Sequence, residues 1–492
     1  MKHFILILLL IMVACKTTSE YERPKPVPPV AGNSLVNQID SWIATEGQNA
    51  HIGVLISSVQ SGQVIYAHDA DRLYTPASTL KLVTAAAALQ NLGPGFRYTT
   101  KLATQGFNRK KHIVQDLFLI GQGDPTLTDM DLATLAHELL QLGVKNIEGD
   151  IVIDASVFDD VYYGNGWMWD DASHGFSAPI SGVNVNQNRF VVRVNPGNRV
   201  GEKVQAIFEP YSNFIRLDVK AKTSQNLNDL RVTTAEQQGL IKHDAIDISG
   251  ELPVDAAPVY KTFAVSNPNL FAGHILQEKL KAAGIRFNGN IRVEKTPQQT
   301  VRLTEHVSRQ MSEMLIDFMK ASNNHGMECL LKTMGAKTGP LPGTFDGGLE
   351  AVQSFLRNNA GVSLKHASVA DGSGASRYSL MSPTQMVKLL LYAWNDFHIA
   401  PEFIASLPLA GLDGTLATRF SQEDMRGKIR AKTGSLSGVS SLAGYLTTPG
   451  GDILAFAIMV NGFTGAKSPY LALQEKILAL LVEDAKKPNR SL

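Results

Sequence analysis

The chain has 492 residues, too many for one hydrophobic core, so two or more domains are expected. Hydrophobic residues make up 44% and charged residues 18%, the proportions of an ordinary soluble protein. With 46 basic against 45 acidic side chains the net charge is +1, which offers no polyanion-binding face and argues against nucleic acid as a partner.

The N-terminus stands apart. Met1-Lys2-His3 precedes an apolar run from Phe4 to Val13, shorter than the roughly 20 residues that span a membrane and suited to a signal-peptide core. Val13-Ala14-Cys15 followed by polar residues resembles the bacterial lipoprotein cleavage box, in which the cysteine is acylated and becomes the first mature residue. Met12 stands where leucine is usual, and a plain secretory signal with an incidental cysteine is the alternative. The segment 16–33 carries Pro24, Pro26, Pro28 and Pro29 and reads as an extended tether. Together these predict a protein on the periplasmic side of the cell envelope, held to a membrane through a lipid on Cys15 alone; the outer membrane of a Gram-negative bacterium fits best. The other cysteine, Cys329, lies in an apolar run and reads as a buried thiol, so no intrachain disulfide is expected.

Leu35, Ile39, Trp42 and Ile43 fall at helical spacing. Ile52 to Val59 and Val64 to His68 read as a hairpin around Gln60-Ser61-Gly62-Gln63. The chain then turns at Pro76 into an alanine- and leucine-rich helix that carries Ser78 and Lys81 at its start. From about Tyr98 short alternating segments punctuated by glycine predict small β-rich domains, continuing to near Val259. Helical periodicity returns at Phe271 to Ala283 and is strong at Met311, Met314, Leu315, Phe318 and Met319. A glycine loop follows at Asp371-Gly372-Ser373-Gly374, and Met386 to Trp394 reads as a helix. Gly427 to Thr433, Ser441 to Thr448 and Ile453 to Val460 then form a strand meander, and a helix from Tyr470 to Asp484 closes the chain. The expected organisation is a leader over 1–15, a tether over 16–33, one α+β domain split between 34–97 and 261–492, and inserted β-rich domains over 98–260. The α+β domain is an antiparallel sheet covered by helices.

Serine is a weak nucleophile at neutral pH and needs a base within hydrogen-bond reach. Helix positions i and i+3 are neighbours, so Lys81 can reach the Ser78 hydroxyl. The apolar helix beyond should bury the lysine and lower its pKa towards that of a general base. Ser78 taken alone reads more readily as a helix cap beside a solvated lysine. Ser78 is, however, the only serine of the chain followed by lysine at i+3.

Ser-x-x-Lys, Ser-x-Asn and Lys-Thr-Gly, in that order, are the motif set of the serine β-lactamases and penicillin-binding proteins. Here they are Ser78-Thr79-Leu80-Lys81, Ser322-Asn323-Asn324 and Lys432-Thr433-Gly434. Each is weak alone, for Ser224-Gln225-Asn226 and Lys337-Thr338-Gly339 are second copies. Lys337 follows a helical stretch and precedes Pro340 and Pro342, where no strand edge can form. Lys432 lies on an alternating strand, with Gly434 and Ser435 leaving room for a substrate backbone. In that set Ser78 attacks a carbonyl and Lys81 takes its proton. Ser322 relays a proton to the departing amine, and the Asn324 amide binds the acyl side. Lys432 supplies positive potential and helps keep Lys81 neutral, the Thr433 hydroxyl holds a terminal carboxylate, and the Ser78 and Ser435 N–H groups form an oxyanion hole.

The resemblance extends further, through Ile120 to Leu127, Gly166-Trp167-Met168-Trp169-Asp170-Asp171, Asp371 to Tyr378, Leu407 to Leu416 and Gly427 to Gly444. Over nearly the whole mature chain the sequence resembles the class C low-molecular-mass penicillin-binding proteins of the D-Ala-D-Ala carboxypeptidase/endopeptidase family. That resemblance implies a serine β-lactamase/transpeptidase-like domain with β-rich domains inserted between Ser-x-x-Lys and Ser-x-Asn. It also implies hydrolysis at D-alanyl residues of peptidoglycan stem peptides through an acyl-enzyme on Ser78, β-lactams as covalent inhibitors, and no cofactor or metal. Asn323 departs from the aspartate common in the family, but its side chain should point away from the pocket. A β-lactamase and a non-catalytic wall-binding or β-lactam-sensing lipoprotein are the rival readings. A zinc hydrolase is disfavoured, since His137-Glu138 lacks a second histidine at Gln141. Trp167 and Trp169 read as domain-interface packing, and Asp371 and Asp413, each before glycine, as turn formers.

Overall fold

The structure, a computed structural model, describes residues 33–235 and 244–486; the leader, Cys15 and the tether before residue 33 lie outside the described residues. Helix α1 (Asn33–Glu46) turns Leu35, Ile39 and Ile43 inward. Strands β1 (His51–Ser58) and β2 (Val64–His68) form the expected antiparallel hairpin, with Ile56 opposite Tyr66 and a register shift at the next residue. Helix α2 (Lys81–Leu92) follows, but it opens three residues later than the sequence suggests. Ala77–Leu80 form a separate 3-10 turn ahead of it.

The chain returns to this layer with α3 (Met311–Lys320), α4 (Asn324–Thr338), α5 (Phe345–Asn358) and α6 (Pro383–Asn395). It ends in the meander β3 (Ile429–Leu436), β4 (Val439–Thr447) and β5 (Ile453–Asn461), and in α7 (Ser468–Asp484). The sheet order is β2-β1-β5-β4-β3, antiparallel throughout, and β1 pairs along its length with β5, from His51 opposite Asn461 to Ser58 opposite Leu454. Strand alternation sorts the side chains onto two faces. Val54, Ile56, Leu442, Phe456 and Ile458 join the core made with α1 and α7. Leu55, Ala443, Ala455, Ala457 and Met459 join the core that holds α2, α4 and α6. The alanines on that second face let helices lie close. Leu82, Val83 and Leu89 of α2 are buried there, each contributing about 1.5–3 kcal/mol from the area removed from water.

The insertion is longer than its texture suggests. Thr99–Thr104, Leu117–Ile120 and Ile151–Asp154 form a five-stranded sheet with Ile291–Val293 and Val301–Val307. Helices Asp129–Gln141 and Pro268–Ala282 bury their apolar residues in the same core. The boundary expected at 260 is therefore corrected to about 308. The helical periodicity at 271–283 belongs to a helix covering the insertion's own sheet, and periodicity says nothing about which sheet a helix covers. The two ends of the insertion are tied together. Ser308 N–H donates to the Tyr98 carbonyl (3.0 Å), Tyr98 N–H to Ser308 Oγ (2.9 Å) and Met311 N–H to the Phe96 carbonyl (2.8 Å).

Candidate active site

Ser78 sits in the 3-10 turn between β3 and the 371–376 loop. Thr79 fixes that turn by donating its Oγ1 to the Pro76 carbonyl at 2.7 Å. Ala77 adopts φ 49°, a left-handed conformation that disfavours a side chain and costs of order 1–3 kcal/mol. The strain is held from three sides. A Cβ on Gly374 would lie 1.9 Å from the Ala77 carbonyl oxygen. One on Gly434 would lie 2.5 Å from the Pro76 carbonyl oxygen and 3.1 Å from Ser78 N. Asn461, at the end of β5, clamps Thr75 by accepting its N–H (2.7 Å) and donating to its carbonyl (3.2 Å). Glycine is thus required at 374 and 434 by close approach of backbone, and at 374 also by φ 78°.

Lys81 is fully buried at the start of α2. Its Nζ lies 2.9 Å from Ser78 Oγ, 2.7 Å from Asn324 Oδ1 and 2.7 Å from the Ser373 carbonyl oxygen. Burial pushes its pKa down to about 7, while the buried carboxyls of Asp371 and Glu328 pull the other way. The expected lowering of this lysine is present, and its leading cause is loss of solvent rather than the positive charge of Lys432.

Ser322 and Asn324 flank the short link between α3 and α4. Ser322 has φ 57°, a second left-handed residue at the site. Its Oγ accepts from Lys432 Nζ at 2.9 Å. Lys432 is fully buried on β3, and burial first, then Lys81, pushes its pKa well down. The Asn324 amide is engaged at both ends, its Nδ2 donating to the Phe176 carbonyl of the insertion at 3.0 Å. Asn323 points away from Lys81, as expected: its Oδ1 caps α4 at Gly326 N–H (3.0 Å) and its Nδ2 reaches Gln187 (2.8 Å). Thr433 Oγ1 meets Thr415 Oγ1 at 2.8 Å, and Ser435 is exposed further along the same strand. Ser78, Lys81, Ser322, Asn324, Lys432, Thr433, Gly434 and Ser435 thus lie along one edge of the sheet. The decoys fall elsewhere, Ser224 in the insertion and Lys337 in the last turn of α4.

Sequence reasoning missed a buried pair of acids beneath the site. Glu328, one turn beyond Asn324 on α4, is fully buried and accepts from the N–H groups of Gly372 and Ser373 at 2.7–3.0 Å. Asp371, read as a turn former, does organise its loop, accepting from Gly374 N–H, Ser376 N–H and Ser379 Oγ, but it is also fully buried. Burial pushes both carboxyls up, and for Glu328 the neighbouring Asp371 adds to it. Trp167 joins the insertion to this loop through Nε1 and Asp371 (3.2 Å), as an interface residue would. Trp169 does not pack and is 90% exposed. The one available signal for Glu328 was an acid in the middle of the apolar run Met327 to Leu331.

Residues 35–479 match the D-Ala-D-Ala carboxypeptidase 3 (S13) family. The D-alanyl-D-alanine carboxypeptidase of Actinomadura sp. (strain R39) is 35% identical over 454 residues, covering 89% of this chain and 82% of its own. The D-alanyl-D-alanine carboxypeptidase DacB of Haemophilus influenzae is 32% identical over 426 residues, covering 85% and 86%. The crystal structure of penicillin binding protein 4 (dacB) from Haemophilus influenzae superposes with a TM-score of 0.80 at 28% identity, over 90% of this chain and 99% of that one. The same protein complexed with a β-lactam superposes at 0.76 and 26% identity, over 91% and 99%.

Proposed function

The chain belongs to the D-Ala-D-Ala carboxypeptidase 3 (S13) family, and from that premise we infer a penicillin-binding serine D-Ala-D-Ala carboxypeptidase of peptidoglycan stem peptides, acting through an acyl-enzyme on Ser78. The observation that carries the reading is the set of partners around Lys81. A neutral amine has two N–H groups and one lone pair. Asn324 Oδ1 and the Ser373 carbonyl are acceptors, so they take the two N–H groups and leave the lone pair for the Ser78 hydroxyl. The serine proton then points at a base that is neutral near physiological pH.

In the reaction Ser78 Oγ attacks the carbonyl of the penultimate D-alanine as its proton passes to Lys81. The ester to Ser78 forms, the peptide C–N bond breaks, and D-alanine leaves with a proton delivered from the Ser322 and Lys432 side of the pocket. Water then hydrolyses the ester and restores the hydroxyl. Gly434 and Ser435 lie where β3 can pair with an extended substrate. The N–H groups of Ser78 and Ser435 supply the oxyanion hole, each donor being worth roughly 3–4 kcal/mol in such sites. Thr433 takes the terminal carboxylate. Asn324 orients Lys81 and contacts the acyl side when the Phe176 carbonyl gives up its amide.

We extend the reading to a lipid on Cys15 that holds the enzyme to a membrane on the periplasmic side, supported by the apolar leader, the cysteine after Val13-Ala14 and the proline tether. The mass of the mature N-terminal peptide tests it. A diacylated cysteine at the first position is expected, and an unmodified downstream N-terminus refutes it.

The enzymatic reading is tested with the chain lacking residues 1–15, a fluorescent penicillin, peptide mapping of the label, and D-alanine release from a stem pentapeptide. Stable label on Ser78, lost in Ser78→Ala, with D-alanine release is the expected result. Rapid turnover of the penicillin would mark a β-lactamase, and label without D-alanine release a sensor. A folded protein that takes no label would overturn the site altogether.

A further inference from the structure

The two N–H groups of Lys81 can only leave a lone pair on Ser78 if both carbonyl acceptors are held still. Asn324 is held by its helix. The other acceptor is a backbone carbonyl in a loop, and backbone peptides in loops rotate unless their N–H and C=O groups are tied. Here each neighbouring peptide is tied. Glu328 accepts from Ser373 N–H at 2.7 Å and from Gly372 N–H at 2.9 and 3.0 Å. Thr84, one turn beyond Lys81 on α2, donates its Oγ1 to the Gly372 carbonyl at 2.7 Å. Asp371 closes the loop from the far side through Gly374 N–H at 3.1 Å and Ser376 N–H at 2.8 Å. The loop also lies close against α4: a Cβ on Gly372 would sit 3.1 Å from Glu328 Oε2, from Leu331 Cβ and from the Met327 carbonyl oxygen.

We propose that Glu328 is a positioning residue for the acylation step: through the peptides of Gly372 and Ser373 it aims the Ser373 carbonyl at Lys81 and thereby turns the amine's lone pair to Ser78. The inference rests on Lys81 being the base. A buried carboxylate is a costly way to hold a loop, because desolvation opposes it. Its use here follows from what must be gripped. One oxygen, Glu328 Oε1, accepts from both successive N–H groups at 3.0 and 2.7 Å, and Oε2 adds a second contact to Gly372 N–H at 2.9 Å.

The test separates binding from acylation in the chain lacking residues 1–15, by measuring the limiting acylation rate constant and the prior dissociation constant for a chromogenic penicillin. Glu328→Leu should lower the rate constant about tenfold or more with the dissociation constant unchanged, since small misplacements of reacting groups are expensive. Glu328→Gln keeps the oxygen that accepts both N–H groups and should recover most of that loss. Thr84→Val frees the same loop from its other side without touching a charge and should lower the rate constant several-fold. This variant keeps the proposal testable if Glu328→Leu does not fold. Wild-type rate constants in the folded variants overturn the proposal, as does a Glu328→Gln variant no better than Glu328→Leu. So does a parallel change in rate and dissociation constants. Lys81→Met separates this inference from the one beneath it. Acylation surviving in Lys81→Met would remove Lys81 as the base, whereas its loss alongside an unimpaired Glu328→Leu refutes only the role of Glu328.

Discussion

Mild acid should silence Ser78 well before it unfolds the protein. Lys81 is fully buried, and its pKa falls from 10.5 to about 7 through that burial, partly opposed by Asp371 and Glu328. Only the unprotonated amine can accept the serine proton. Acylation should therefore be half-maximal near pH ~7, roughly a tenth of maximal one unit lower and roughly a hundredth two units lower. The assay is the second-order rate constant for labelling by a fluorescent penicillin across buffers of constant ionic strength. A penicillin's carboxylate stays ionised over that range, so the acid limb reports the protein. The same burial has a thermodynamic mirror. The folded pKa is depressed, so between about 7 and about 10.4 the unfolded chain binds a proton that the folded chain does not. Stability must then rise with pH across that window, by up to about 5 kcal/mol for this group alone. Lys432, pushed down for the same reason, has the same sign, while the raised carboxyls of Glu328 and Asp371 act oppositely at lower pH. Urea midpoints should therefore climb from about pH 8 to about pH 9.5. A labelling rate that stays flat from about pH 5 to 8, or a limb centred near the ordinary lysine value of about 10.4, would refute the buried-base argument.

Three substitutions probe other parts of the site. Gly434→Ala places a methyl 2.5 Å from the Pro76 carbonyl oxygen and should slow labelling about tenfold or more by shifting the Ser78 turn, with only a modest fall in melting temperature. Labelling at the wild-type rate would show that strand and turn have slack. Lys332 is fully buried on α4, pairs with Asp159 at 2.5 Å and lies 4.8 and 5.3 Å from the ring centres of Phe345 and Phe158. Lys332→Met strands Asp159 and should cost about 3–5 kcal/mol in urea unfolding; a loss below about 1 kcal/mol would mean the pair is dispensable. Asn323→Asp keeps the cap on Gly326 N–H and adds charge where a helix N-terminus favours it. Stability should stay within about 0.5 kcal/mol and labelling should not change; a clear drop in either would tie Asn323 to the pocket.

Much of this architecture could be read before any coordinates. The hairpin from Ile52 to His68 and the face of α3 from Met311 to Met319 follow from periodicity of 2 and 3.6, which burial on one side imposes locally. The choice of Lys432 over Lys337 is also a matter of local chemistry, since a strand that pairs with a substrate backbone needs its N–H groups, which proline lacks, whereas a helix exit accommodates proline. What the chain conceals is long-range. Nothing near Glu328 says that its partners are the N–H groups of Gly372 and Ser373, and nothing near Asn461 says that it clamps Thr75. The left-handed Ala77 and Ser322 are invisible because neither is a glycine: Ala77 is held by neighbours distant in sequence, and Ser322 by the cap that closes α3, where Asn323 N–H reaches the Phe318 carbonyl (2.8 Å) and Ser322 N–H the Met319 carbonyl (3.3 Å). The misplaced boundary at 260 has the same origin.

The pairing of β1 with β5, the first strand with the last, fixes when the enzyme can become an enzyme. Ser78 and Lys81 leave the ribosome long before Asn324, Ser373 and Gly434 exist to surround them. Until those segments dock, Lys81 stands in water, keeps its proton, and leaves the serine as inert as any other hydroxyl. A nascent or C-terminally clipped chain is therefore chemically harmless as well as misfolded. Assembly of the sheet doubles as the step that arms the nucleophile.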